Sequence, residues 1–185
     1  VKTAVFEATR GCNHRCDFCV VPFAWGRKPY QKPVAEVIDE IRSTGAKRAI
    51  FIDLNLIADR AYAAELFTAL IPLRIQWGGL ATSLLARDEE LLDLCARSGC
   101  MALLVGFESI SPAALKDVSK SFNSPELYVE WIRRFHDHAI ALNGTFVFGL
   151  DSDNNVIFLT ADEVDYHFDE ILEWILGRVM PIPHL

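Results

Sequence analysis

The sequence predicts an α/β fold with about five βα units on a parallel sheet. Three observations predict it. Continuous apolar runs such as Arg48-Ala-Ile-Phe-Ile-Asp53 and Met101-Ala-Leu-Leu-Val-Gly-Phe-Glu108 suit parallel strands covered on both faces. Stretches of helical period separate these runs, the alternation of a parallel sheet with crossover helices. Four runs end in polar residues, and sites in such folds lie at the carboxyl ends of the strands. Five or six units are too few for a closed barrel of eight.

Each element has its own signal. Thr3 to Ala8 is a short apolar strand. Pro33 suits the first turn of a helix, on which Val34, Val37, Ile38 and Ile41 share one face, and Gly45 ends it. Arg48 to Asp53 is the second strand. Asp59 caps a helix carrying Tyr62, Leu66 and Leu70, with Pro72 near its end. Ile75 to Thr82 is the third strand, interrupted by Gly78-Gly79, with Trp77 expected to face the barrel interior. Asp88 starts a helix through Leu91, Leu92 and Cys95 that stops at Gly99, and Met101 to Glu108 is the fourth strand. Ser111-Pro112 and Ser124-Pro125 are two N-cap-plus-proline helix starts. The second leads into Tyr128, Trp131, Ile132 and Phe135. Gly144 opens the fifth strand, Thr145 to Leu150, ending at Asp151. Thr160-Ala-Asp-Glu163 fits a capping box before Val164, Phe168, Ile171 and Ile175, and Gly177 stops that helix. With two prolines, Val179 to Pro183 reads as a frayed end rather than a sixth strand.

Composition narrows the class. A length of 185 residues fits one domain with a sizeable core. No apolar run approaches the ~20 residues of a membrane span. Val1-Lys2-Thr3-Ala4 has neither a signal-peptide pattern nor a starting methionine, so the chain is expected to be a piece of a longer protein. Five cysteines are an odd number with three clustered, which argues for a reducing compartment and a cytoplasmic location. Residues 1–150 carry 17 charges of each sign, and residues 151–185 hold the whole net charge of −7. A neutral body with an acidic end gives no nucleic-acid footprint. Arg10, Arg15, Arg27, Lys28 and Lys32 gather near the cysteines and read equally as an anion site or a solvated loop.

The chemistry centres on Ala8-Thr9-Arg10-Gly11-Cys12-Asn13-His14-Arg15-Cys16-Asp17-Phe18-Cys19, spaced C-x3-C-x2-C after a strand. A [4Fe–4S] cluster usually takes four cysteine thiolates. Three here leave one iron open to a ligand. Zinc with His14 as a fourth ligand is the alternative, although zinc sites usually present two spaced pairs. Asp53 with Asn55, Thr82 with Ser83, Glu108 with Ser109, and Asp151 end strands on the same face as this loop. Cys100 begins the fourth strand on the opposite face and Cys95 sits on a buried helix side, so both read as core.

The cysteine loop, with Phe18 before its last cysteine, resembles the signature loop of the radical S-adenosylmethionine (SAM) superfamily, and that resemblance implies its fold, an open partial (β/α)6 TIM-like barrel, which the order of elements here matches. The resemblance covers about residues 3–151 and includes Phe51-Ile-Asp53-Leu-Asn55, Gly106-Phe-Glu108-Ser109 and Gly144-Thr-Phe-Val-Phe-Gly149-Leu-Asp151. Cys19-Val-Val-Pro-Phe-Ala-Trp-Gly-Arg27 is similar to the methylthiotransferases and to the cobalamin-binding radical SAM proteins, and the chain overall is closer to the second group. The resemblance implies that Cys12, Cys16 and Cys19 hold the cluster and that residues after Phe18 contact the adenine. It implies Asp53 and Asn55 at the SAM amino and carboxylate end, Ser83 among the cofactor contacts, Glu108 on the ribose hydroxyls and Gly149 walling the adenine. It further implies reductive cleavage of SAM to a 5′-deoxyadenosyl radical, hydrogen abstraction from a small-molecule substrate, and an electron donor such as flavodoxin or ferredoxin. The reaction implied is cobalamin-assisted methylation or a related modification of an unactivated carbon, with a methylthiotransferase-type enzyme as the alternative, and cobalamin would be bound by an N-terminal domain outside this chain. Asp53-Leu54 departs from the two acids many relatives carry, and the stretch after Asn155 matches poorly. The expected division is therefore a radical SAM core at 1–155 and an acidic helical segment at 156–185 that completes or flanks the barrel. A non-catalytic iron–sulfur or zinc domain, or an inactive truncated core, is the reading from a different class.

Overall fold

A computed structural model describes residues 2–147, together with 149, 150 and 152. In chain order the elements are β1 (Thr3–Phe6), β2 (Thr9–Arg10), α1 (Val21–Trp25), β3 (Tyr30–Gln31), α2 (Val34–Thr44), β4 (Arg48–Phe51), α3 (Arg60–Leu70), β5 (Gln76–Ala81), α4 (Glu89–Arg97), β6 (Cys100–Glu108), α5 (Pro112–Asp117), α6 (Tyr128–Asp137) and β7 (Ala141–Phe146). Short 3₁₀ turns cover Ile71–Leu73, Ser83–Arg87 and Pro125–Leu127. Five strands form one sheet in the order β1-β4-β5-β6-β7, with every pair parallel. β2 and β3 form a separate antiparallel pair, Thr9 opposite Gln31 and Arg10 opposite Tyr30. No helix among the described residues is long and apolar enough to cross a membrane.

The helices bury the faces their periods predict. Val34, Val37, Ile38 and Ile41 of α2 are buried, as are Tyr128, Trp131, Ile132 and Phe135 of α6. Asp59, Asp88 and Ser111 accept hydrogen bonds from the first-turn amides of α3, α4 and α5, which satisfies donors a helix start otherwise leaves open. Gly45 ends α2 in the left-handed conformation.

These helices cover one face of the sheet, where Phe6, Ala49, Phe51, Trp77, Leu103 and Val105 pack. Because strand side chains alternate, Val5 and Ile50 point to the other face, and they are 58% and 46% exposed. The sheet is therefore an arc, padded outside and apolar inside.

Several expectations need correction. Trp77 lies on the helix-covered face and not in the interior: it stacks on Phe67 at 5.4 Å, meets Phe51 edge-on at 5.5 Å, and its indole N–H donates to Ser98 Oγ at 2.9 Å. The first strand stops at Phe6, because Thr9 and Arg10 turn away to pair with β3. Gly144 lies within β7, which starts at Ala141. Ser124 makes no side-chain cap, and Pro125 begins a 3₁₀ turn ahead of α6. Val21–Trp25 is a short helix of apolar and aromatic residues that has too few turns to show a helical period in the sequence. Asp151, the capping box at Thr160, the helix through Ile175 and the end at Val179 to Pro183 lie outside the described residues.

Candidate iron–sulfur and SAM site

The cysteine loop leaves the end of β1 and is closed at its base by the β2–β3 pair. Lys32 N donates to Ala8 O at 2.9 Å, and the Tyr62 hydroxyl reaches both Ala8 O and Lys32 O at 3.2 and 2.7 Å. Asp53, 0% exposed, sits beneath. Its carboxylate accepts from Ala8 N at 3.1 and 3.2 Å and from Thr9 N. Burial pushes the Asp53 carboxyl up, opposed by the amides bonded to it. Asp53 is thus turned into the loop's backbone and away from open space. In this position it seats the start of the cysteine loop.

Two side tethers hold the loop across the rim. Asn13 Nδ2 donates to Ala58 O at 2.8 Å, ahead of α3. On the other flank Asp17 N donates to Val118 O at 3.1 Å, the Ser119 hydroxyl donates to Asp17 Oδ2 at 2.9 Å, and His14 stacks on Phe122 at 4.3 Å. Burial, and then the charge of Lys120, lower the His14 pKa. Within the loop Cys19 N donates to Cys16 O at 3.0 Å. Cys12, Cys16 and Cys19 are half-buried free thiols. Burial raises the Cys16 pKa, and the Lys120 ammonium pulls in the opposite direction.

The rim around them is polar. Asn55, 1% exposed, brings Nδ2 to 3.7 Å from Cys12 Sγ. Asn55 Oδ1 and Thr82 Oγ1, at neighbouring strand ends, are buried without a partner. Such atoms are costly unless something satisfies them. Glu108 ends β6 with a φ of 65° and pairs with Lys120, Nζ to Oε1 at 2.6 Å. Lys120 Nζ also lies 6.0 Å from the Phe18 ring centroid and 5.7 Å from that of Phe122.

Asn123 and Tyr128 brace the strand end that carries Glu108. Asn123 Nδ2 donates to Gly106 O and Phe107 O at 3.1 and 2.8 Å, and the Tyr128 hydroxyl contacts Phe107 O at 3.0 Å. Ser83 belongs to this brace and not to the open rim: it is fully buried and its hydroxyl bonds to Asn123 Oδ1. Phe18 is exposed, and Gly149 is exposed beyond β7 with a φ of 82°. Lys120 and Asn123 were missed in the sequence because a Ser-Lys-Ser-Phe-Asn loop has no period or motif. The polar end of β6 was the available signal, since a buried carboxylate calls for a buried cation.

Three cysteine thiols are donors of the kind a [4Fe–4S] cluster takes. Among the described residues no group of three or more His, Cys, Asp or Glu is gathered around one metal-ion position. In a cubane each thiolate binds a different iron, so the three sulfurs need not converge on one point. Cys95 and Cys100 are buried at the far end of the fold, consistent with a core role, and burial raises the Cys95 thiol well above its usual range.

Known proteins resemble this chain in sequence and in fold. Residues 6–159 match the sequence profile of the Radical SAM superfamily. The chain is 32% identical over 157 residues to a bacteriochlorophyllide d C-12(1)-methyltransferase of Chlorobaculum tepidum, covering 82% of this chain and 34% of that protein. It is 29% identical to a hopanoid C-2 methylase of Rhodopseudomonas palustris, covering 80% and 30%. It thus spans about a third of the length of these relatives. The solved radical SAM methyltransferase TsrM of Kitasatospora setae, with cobalamin and a [4Fe–4S] cluster bound, superposes with a TM-score of 0.72 at 22% identity, over 92% of this chain and 34% of that one. The fold, the cysteine loop and the profile match agree: the chain belongs to the Radical SAM superfamily.

Proposed function

We propose that this chain is the catalytic core of a radical SAM enzyme that abstracts a hydrogen atom from a small-molecule substrate, in the service of cobalamin-assisted methylation of an unactivated carbon. The observation that carries this is the half-buried cysteine loop, tethered on both flanks, with Asn55 and the Glu108–Lys120 pair beside it. Methyl transfer is supported by the methyltransferase and methylase relatives.

In this reading Cys12, Cys16 and Cys19 hold a [4Fe–4S] cluster. Such a cluster, when bound and reduced, would supply the electron for the reductive cleavage of SAM. The chain's own residues do the rest: they bind, orient and exclude water. Asp53 fixes the start of the loop. Asn55 Oδ1 accepts from the SAM ammonium. Lys120 suits the SAM carboxylate and Glu108 the ribose hydroxyls, as carboxylates bind diols elsewhere. Phe18 and Gly149 flank the adenine. The apolar inner face, with Val5 and Ile50, limits water near the radical. The division into a radical SAM core at 1–155 and an acidic segment at 156–185 belongs to this proposal, and a cobalamin domain and a flavodoxin- or ferredoxin-type donor would complete the system.

The test is anaerobic reconstitution with iron and sulfide, reduction, addition of SAM, and chromatography for 5′-deoxyadenosine. Product that disappears in Cys16→Ala is the expected result. A cluster without product overturns the catalytic reading, and stoichiometric zinc without iron overturns the site.

A further inference from the structure

We propose that Asn55 sets the reduction potential of the cluster through an N–H···S hydrogen bond to Cys12, and that its other amide atom ties that potential to SAM binding. The inference rests on the function proposed above, and goes beyond it by giving one side chain two ligands at once.

The geometry is specific to the two ends of the amide. Nδ2 lies 3.7 Å from Cys12 Sγ, and Oδ1 is buried without a partner. A thiolate is an acceptor only, so the nitrogen end must face it. Placing the oxygen there would set two acceptors against each other. The oxygen is therefore aimed at a donor that is not part of the protein. A primary ammonium group, as in SAM, is that donor.

Asn55 has little freedom to turn away. Its own carbonyl accepts from Ala58 N at 3.1 Å, and Ala58 O accepts from Asn13 of the cysteine loop at 2.8 Å. Leu56 N donates to Leu80 O of β5 at 3.1 Å. Two residues upstream Asp53 grips the loop's first amides. The segment from 53 to 58 is laced to both the loop and the sheet, and Asn55 is held between them at 1% exposure.

Hydrogen bonds to the sulfurs are one of the protein's levers on cluster potential. One-electron reduction adds negative charge to the cluster and thiolates, and no bond forms or breaks. A donor at Cys12 stabilises the reduced form more than the oxidised form and raises the potential. An ammonium on Oδ1 polarises the amide and strengthens its N–H donor. Binding and reduction are then linked, and each favours the other to the same degree.

Two substitutions separate the ends of the amide. Asn55→Leu removes both. Asn55→Asp keeps the shape and the acceptor but sets a negative charge against the thiolate. The reconstituted chain is titrated with redox mediators and followed by electron paramagnetic resonance, with and without SAM. SAM affinity is measured separately by anaerobic calorimetry. Without SAM the expected order of potentials is wild type, then Asn55→Leu, then Asn55→Asp as the most negative. SAM binding weakens roughly tenfold or more in Asn55→Leu, as for a lost hydrogen bond to a charged group, and is retained in Asn55→Asp. Unchanged potentials in both variants overturn the inference and leave the function standing. A wild-type chain that assembles no cluster overturns both. Should the variants fail to hold a cluster, the wild type alone decides. Isotopic labelling of asparagine side-chain nitrogen must produce hyperfine coupling to the reduced cluster, and its absence overturns the inference.

Discussion

Lys120 Nζ stands 2.6 Å from Glu108 Oε1, and their side chains are only 8% and 10% exposed. Taking two charges out of water is costly, and removing one partner strands the other. Lys120→Met is therefore expected to lower the unfolding free energy by about 3–5 kcal/mol. Adding Glu108→Gln should return much of that loss, because the stranded charge is gone. Denaturant unfolding of the two single variants and the double variant measures the coupling. Strict additivity would show that the pair is not a unit.

Asp53 leads to a pH prediction. Burial raises its carboxyl above the ordinary value of 3.8. A raised carboxyl means that the folded protein binds more protons than the unfolded chain between the two values, so stability falls as pH rises across that window. The contribution is fully present below 3.8 and is lost above the raised folded value. Unfolding measured across mildly acidic pH should show this decline in wild type and not in Asp53→Asn. Asp53→Ala, which leaves the Ala8 and Thr9 amides without their acceptor, should cost about 1–3 kcal/mol and reduce iron bound per chain.

Two glycines at opposite ends of β6 should behave differently. At Gly99, with a φ of 95°, a Cβ would overlap the Ile75 carbonyl oxygen. Gly99→Ala should destabilise the fold by about 1–3 kcal/mol or more from strain and leave SAM affinity intact where the protein folds. At Gly106 a Cβ would overlap Glu108 Oε1 and come within 2.8 Å of Lys120 Nζ. Gly106→Ala should displace the ion pair and weaken SAM binding, read by calorimetry.

The buried cysteines are a negative control. Cys95 and Cys100 are 0% and 5% exposed and lie at the opposite end of the sheet from the loop. Replacing both with alanine should leave iron and sulfide content unchanged while lowering the melting temperature. A proportional loss of iron would move the cluster assignment.

Much of this was legible in the sequence, for identifiable reasons. The strands were visible as continuous apolar runs, and the caps at Asp59, Asp88 and Ser111 because they follow local chemistry. The cysteine spacing marked the site, and Asn55 and Glu108 do stand at its rim. What the sequence hid were the long-range bonds. Nothing local shows that Asp53 turns 45 positions back to hold Ala8, or that Lys120 answers Glu108. Ser83 looked like any other polar strand end, and only Asn123, 40 residues on, turns it inward. Trp77 was misread because a two-residue period gives alternation but not which side the helices take.

The two tethers of the cysteine loop have a mechanical meaning. Asn13 ties it to the β4–α3 connection, and Asp17 ties it to the segment after α5 on the other side of the rim. The loop is a strap across the mouth of an open arc. A rigid inorganic core fastened to its three thiols would tighten that strap, and a ligand that binds only the folded state raises its stability. Oxygen, which dismantles such clusters, would then act as a denaturant for the whole arc. Melting curves of loaded and air-exposed protein should differ well beyond the loop itself.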